Sequence, residues 1–243
     1  MNRFPALFWA VLALTAASLS AKTVKDDSDI LRARDAAGIA ARFDRLETVA
    51  AQANMVYAST AGVVHQPFAI EARRLPSGEW SVHERMGDQD ARWSAPGMFY
   101  RTPALSETDR ARERFFLLLA PDHLARSAAE APYVGLGHFQ DRLCRRLEVK
   151  NPAAAESWTV YVDTDTHRLR GLRAASGDAW LLEDEELFQN QFSLATRWTR
   201  YSPQGERMEI VQLMALAFNV YLTDFKGEAP AEPLAAPIPG DKR

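Results

Sequence analysis

The side chains best able to do chemistry in this 243-residue chain are five histidines, one cysteine and two acidic clusters, and their spacing argues against catalysis. His65, His83, His123, His138 and His167 are scattered, with no His-x-x-x-His pair that could bind a metal from one helix face. Isolated histidines of this kind read as surface residues or satisfied core residues. Cys144 is alone, so no internal disulfide can form, and it falls inside the strand-like run 141–150, where a buried inert thiol is the reading. There is no Gly-x-Ser-x-Gly elbow, no phosphate-binding loop and no dinucleotide fingerprint. Gly135-Leu136-Gly137 is only a fragment of such a motif and reads as a strand entry or bulge. Glu183-Asp184-Glu185-Glu186 lacks the alternating ligand pattern of a calcium loop, and Asp163-Thr164-Asp165-Thr166 sits where a hairpin needs a turn. No metal and no cofactor is expected. The chain reads as a non-enzyme, with a hydrolase of unrecognised type as the lesser alternative.

What remains is apolar. Six Trp, twelve Phe and six Tyr occur, and several fall on the apolar faces of alternating segments. Phe68 and Ile70 share one such face, Trp80 and Val82 the next, then Trp158 and Val160, and finally Phe192, Leu194 and Trp198. These nine are the candidate ligand-binding residues. They line either a filled core or a hydrophobic cavity able to shelter an acyl chain, and residue pattern alone leaves both open.

The elements that carry them follow from periodicity. Residues 29–48 have apolar positions at helical spacing, with Ser28 or Asp29 as cap and Gly38 as a weak point. Two period-two runs, 68–73 and 79–85, flank Leu75-Pro76-Ser77-Gly78, which predicts a hairpin. Residues 92–101 form a further aromatic run with a Pro-Gly turn at 96–97. Ser106-Glu107-Thr108-Asp109 resembles a capping box before a helix over 110–119, which Pro121 ends, and Asp122 is a candidate cap for a short helix to 131. The interleaved charges Arg110, Arg112, Glu113 and Arg114 read as its solvated face. Strands return from 133 onward, through 142–150, 157–163, 168–174, 179–183, 192–198 and 208–217, with 218–225 as a continuation. Helix, then nine or ten short antiparallel strands interrupted once by helices, is an α+β pattern. It predicts a strongly curved antiparallel sheet, or half-barrel, with helices covering the concave face.

The ends of the chain give an address. Arg3, an apolar core from Phe4 to about Ala17, and the small residues Ser18-Leu19-Ser20-Ala21 compose a secretory signal peptide cleaved near Ser20 or Ala21. Its core is shorter than the roughly 20 apolar residues a bilayer span needs. Residues 22–226 then form one domain. The tail 227–243, with Pro230, Pro233, Pro237 and Pro239, reads as disordered. Export without disulfides suggests a bacterial periplasm, with no stable membrane span in the mature chain. A net charge of −3 with no basic cluster excludes nucleic acid as a partner.

Several of these features together resemble the periplasmic lipoprotein carrier (LolA/LolB-like) superfamily. They are the signal, the helix beginning Asp29-Ile30-Leu31-Arg32-Ala33, the hairpin 68–85, the mid-chain helix 107–119, and Trp158-Thr159-Val160-Tyr161-Val162-Asp163-Thr164-Asp165-Thr166-His167-Arg168-Leu169. That last segment is similar to a strand–turn–strand motif recurrent in the group. The resemblance spans about residues 28–226. It implies an open, curved antiparallel sheet roofed by helices around a lipid-sized apolar cavity, and it transfers no specific functional residue. The acid-rich segment 178–191 and the Pro-rich tail depart from the pattern. The expectation is a periplasmic carrier or sensor for a lipid, acyl chain or similar hydrophobic ligand. The alternative is an envelope protein-interaction or scaffold module without a cavity.

Overall fold

The computed structural model describes residues 28–95, 107–128, 131–151 and 156–222. The signal peptide, the Pro-Gly turn at 96–97, Ser106 of the capping box and the Pro-rich tail lie outside the described residues. No helix among the described residues is long and apolar enough to cross a membrane.

The chain begins with α1 (Asp29–Ala37) and α2 (Ala40–Asp44). Ser28, rather than Asp29, caps α1 by accepting the Leu31 amide. Ile30, Ala33, Arg34 and Ala37 are buried at i, i+3, i+4 and i+7, which is one helix face. The helix expected over 29–48 breaks at its weak point, Gly38, where a Cβ would sit 3.0 Å from both the Gln191 carbonyl oxygen and the Phe192 ring. By Thr48 the chain is already a strand.

Four strands follow: β1 (Thr48–Ser59), β2 (Gly62–Arg74), β3 (Trp80–Met86) and β4 (Gln89–Ala95). Helices α3 (Glu107–Leu118) and α4 (Ala120–Ala128) come next. Pro121 separates them by occupying the first turn of α4, where a missing amide costs nothing. The chain then runs through β5 (Tyr133–Phe139), β6 (Arg142–Asn151), β7 (Glu156–Asp163), β8 (Leu169–Ala174), β9 (Ala179–Phe188), β10 (Phe192–Tyr201) and β11 (Arg207–Phe218). The continuation expected over 218–225 does not form across 219–222, and 223–225 lie outside the described residues. Asn219 turns at φ 53°, its amide donates to the Thr48 carbonyl and its side chain accepts the Glu47 amide, so the strand ends at Phe218.

All eleven strands join one open antiparallel sheet in the order β4-β3-β2-β1-β11-β10-β9-β8-β7-β6-β5. The chain starts at the middle, steps outward to the edge β4, crosses through α3 and α4 to the opposite edge β5, and meanders back until β11 pairs with β1. The helical insertion therefore links the two edges. The expected antiparallel sheet with helices is what folds, with eleven strands rather than nine or ten.

Most of the core is one continuous cluster between one face of the sheet and the helices. A smaller cluster of Phe139, Cys144, Tyr161, Ala179 and Leu181 covers part of the other face. There the Phe139 ring lies over Gly171, where any Cβ would fall 2.3 Å from the ring and from the Trp180 carbonyl oxygen. At the β7–β8 hairpin the Asp163 carboxylate accepts the amides of Asp165 and Thr166 at 3.0 and 2.8 Å. Burial works against that charge, but these hydrogen bonds hold the group below its ordinary range. The turn expected at Asp163-Thr164-Asp165-Thr166 is thereby explained without a metal.

Candidate functional site

The nine apolar residues singled out from the sequence all lie in the main core cluster. Each is between 0% and 5% exposed. Phe68 and Ile70 come from β2, Trp80 and Val82 from β3, Trp158 and Val160 from β7, and Phe192, Leu194 and Trp198 from β10. Strand alternation puts them on the covered face of the sheet, and the helices close over them. The Phe115 ring meets Trp80 edge-on at 5.8 Å, and the Phe116 ring meets Trp158 edge-on at 6.1 Å. Trp158 in turn stacks on Trp180 of β9. Phe192 is wedged between Phe43 of α2 at 4.8 Å and Phe218 of β11 at 4.5 Å.

Sequence reasoning missed what lies under the helices. Glu113 and Arg114, read as part of a solvated face, are each only 3% exposed. Arg114 forms a two-point ion pair with Glu84 of β3, through Nε to Oε2 at 2.9 Å and Nη2 to Oε1. Glu113 accepts the Trp180 indole N–H at 2.5 Å. Burial, helped by the negative charge of Glu209, pushes its carboxyl up to about 7, against the pull of Arg200, Trp180 and Arg114. A signal was present: Glu113-Arg114 immediately precedes Phe115-Phe116, so four successive residues cannot share one narrow polar face on a 3.6-residue turn.

Asp122 is fully buried and serves as a clamp rather than a cap. Arg34 of α1 donates Nε to Oδ1, and Arg126 of α4 donates Nε to Oδ2, both at 2.8 Å. The same two guanidinium groups reach Asp44 of α2 at 2.8 and 2.9 Å. Two acids and two guanidinium groups therefore tie α1, α2 and α4 together. Next to it, fully buried His123 has Nδ1 3.1 Å from the Phe116 carbonyl oxygen. A carbonyl only accepts, so Nδ1 carries the proton and Nε2 is bare. Burial pulls this imidazole down to about 4, so it is neutral at pH 7.

His83, Cys144 and the acidic run 183–186 hold structure. His83 places Nε2 3.0 Å from Asp90 and Nδ1 4.0 Å from Glu71, with no nucleophile among those partners, and burial lowers its pKa. Cys144 is fully buried, and burial pushes its thiol up to about 11, as an inert thiol requires. The acidic run 183–186 lies in β9, where Glu183 and Asp184 pair with Arg197 and Glu185 pairs with Arg168. Among the described residues, no group of three or more His, Cys, Asp or Glu side chains is placed to hold a metal ion.

Among the described residues, the space left between α1, α3 and strands β8 to β10 is a cavity of about 20 Å³ lined chiefly by Ala33, Leu117, Leu118, Leu182 and Leu194. That is room for about one water molecule. Two wider depressions, of about 820 and 550 Å³, are lined by none of the nine candidates.

No family model matches this sequence, and no curated protein does. Solved structures do match in fold. A DUF1329 family protein from Desulfovibrio piger aligns at 12% identity with a TM-score of 0.55, covering 83% of this chain and 95% of that one. A putative outer membrane lipoprotein-sorting protein domain from Vibrio parahaemolyticus aligns at 10% identity with a TM-score of 0.53, covering 82% and 95%. A LolA superfamily protein from Nitrosomonas europaea gives 10% identity and 0.47, covering 80% and 94%. An open antiparallel sheet with helices packed across one face is thus the fold this chain shares with the Desulfovibrio piger protein and the Vibrio parahaemolyticus domain.

Proposed function

We propose that the chain is a non-enzymatic periplasmic carrier or sensor, exported by residues 1–21, whose domain 22–226 takes an acyl chain or similar apolar ligand on the helix-covered face of its sheet. The observation that carries this reading is the arrangement above that face. Nine large apolar side chains form a continuous surface, and the helix covering them is fixed by a buried ion pair and a buried acid rather than by apolar contacts alone. Buried ion pairs cost desolvation that their attraction barely repays, so they fix position while adding little net stability. Ligand entry requires this cover to lift. A ligand entering beneath α3 and α4 gains about 0.8 kcal/mol for each methylene it buries.

The half-barrel shape belongs to the same proposal. Residues 113–116 of α3 reach β3, the second strand of the sheet, and β7, the ninth. In a flat sheet those strands would stand about 34 Å apart, at 4.8 Å per step. A sheet bent around α3 brings both within reach. The lipoprotein-sorting domain that shares the fold makes a lipid-bearing ligand a natural class.

The small interior cavity favours a second reading, in which the face stays filled and the domain binds an envelope protein. Native mass spectrometry of protein purified from the periplasm without detergent, with solvent extraction of any lipid, separates the two. The carrier reading expects a bound species of lipid mass that extraction removes. Consistently empty protein that still resists added lysophospholipid contradicts it.

A further inference from the structure

The two edges of the sheet are guarded unequally. Edge strand β4 carries Asp90 and Arg92, and its Trp93 is buried in the main core. Edge strand β5 reads Tyr-Val-Gly-Leu-Gly-His-Phe, with no proline, lysine or acid in it. Its ladder partner is β6, and among the described residues no strand pairs with its other side, which leaves that row of backbone N–H and C=O groups without a ladder partner there. Soluble proteins normally blunt such an edge with charge, proline or a covering element. Here Tyr133 and Leu136 on β5 and Leu143 on β6 are 50%, 52% and 43% exposed.

The register assigns each face a chemistry. Leu136 lies opposite Arg145, and His138 opposite Leu143. Arg145 bonds Asp29 of α1 at 2.8 Å and has its guanidinium 4.9 Å from the Tyr133 ring centre, so this is the helix side, and it is apolar at the rim. On the other side Gly135 lies opposite Arg146, and Gly137 opposite Cys144. The two glycines leave a trough that the Arg146 side chain fills. Its Cδ lies 2.9 Å from where a Cβ on Gly137 would be, and its Nη2 lies 3.2 Å from that position on Gly135. Arg146 therefore runs across β5 toward the open edge, and its Nε has no hydrogen-bond partner among the described residues.

We propose that the β5 edge is a docking site for an extended peptide segment of another protein, which adds as a twelfth strand with apolar side chains on the helix side and acidic ones facing Arg146. Main-chain hydrogen bonds supply affinity and the alternating faces supply selectivity. Self-pairing of two copies is disfavoured, because an antiparallel β5–β5 contact brings two Arg146 guanidinium groups onto one face. This inference is independent of whether a ligand occupies the interior.

The test is fluorescence anisotropy with the full mature chain and a labelled eight-residue peptide alternating valine and glutamate. Saturable binding is expected, weakened at least tenfold by N-methylation of alternate peptide amides, by glutamate-to-lysine exchange in the peptide, and by Arg146→Glu in the protein. The peptide variants need no mutant fold. Equal binding of the N-methylated and lysine peptides overturns the proposal, as does no binding of any. Concentration-dependent dimers abolished by Leu136→Lys would assign the edge to a second copy and overturn it as well.

Discussion

Arg114 of α3 and Glu84 of β3 form a two-point ion pair with both side chains no more than 3% exposed. The pair sits between the helix cover and the sheet, on the Phe68 ring, with the guanidinium 5.4 Å from its centre. Removing one partner leaves an uncompensated buried charge. Arg114→Met or Glu84→Gln alone is expected to cost about 3–5 kcal/mol in urea unfolding. Arg114→Met combined with Glu84→Met is expected to recover most of that loss, since apolar replacement of both partners is often neutral. A double variant as unstable as the sum of the singles would mean that the pair contributes much more than position.

Glu113 and His123 give the fold a defined pH response. Glu113 is raised from an ordinary 4.5 to about 7 by burial. Below pH 4.5 it is protonated in both states. Between 4.5 and 7 the unfolded chain releases its proton first, so stability falls as pH rises, and above 7 the loss is complete. His123 is lowered from 6.5 to about 4, again by burial. Its neutral form is favoured in the fold, so stability falls as pH drops from 6.5 to 4. Thermal unfolding of Glu113→Gln should show no decline between pH 4.5 and 7 beyond that of other groups. The difference in melting temperature between variant and parent should grow across that window and then level off.

Asp122 holds Arg34, Arg126 and, at 3.8 Å, Arg74. Asp122→Asn leaves three guanidinium groups around a neutral amide. The expected result is faster hydrogen exchange across α1 and α4, by at least tenfold, with β7 to β10 amides little changed. Uniform acceleration over the whole sheet would show that the clamp stabilises the fold globally rather than seating the helices.

Phe116 fills the space against Trp158. Phe116→Ala is expected to cost about 3–5 kcal/mol, because the sheet face cannot collapse onto the void. The same void should accept an acyl chain, so the variant should bind lysophospholipid more tightly than the parent. Lost stability with unchanged lipid affinity would place any ligand elsewhere.

Much of this architecture was legible from local pattern. The 68–85 hairpin, the 157–174 strand–turn–strand and the break at Gly38 follow from turn chemistry and period. The nine apolar candidates follow from alternation, and they do converge on one face. Legibility ended where tertiary contacts override local rules. Glu113 and Arg114 look solvated until Trp180 and Glu84, distant in sequence, supply partners. Asp122 looks like a cap until Arg34, 88 residues away, claims it. The β11 end was set by Asn219, whose side chain meets the Glu47 amide across the sheet. Whether apolar faces enclose a ligand or each other depends on side-chain volumes summed over many strands, which periodicity does not encode.

The central claim is that an apolar chain lies against the covered sheet face. Trp80, Trp158, Trp180 and Trp198 line that cluster, so a brominated fatty acid is the direct probe, because bromine quenches indole emission only near contact. Titration of the mature protein at neutral pH should quench more than half of the tryptophan emission saturably, with the unbrominated acid competing. Unchanged emission at saturating brominated acid, in protein that remains folded, would contradict the account.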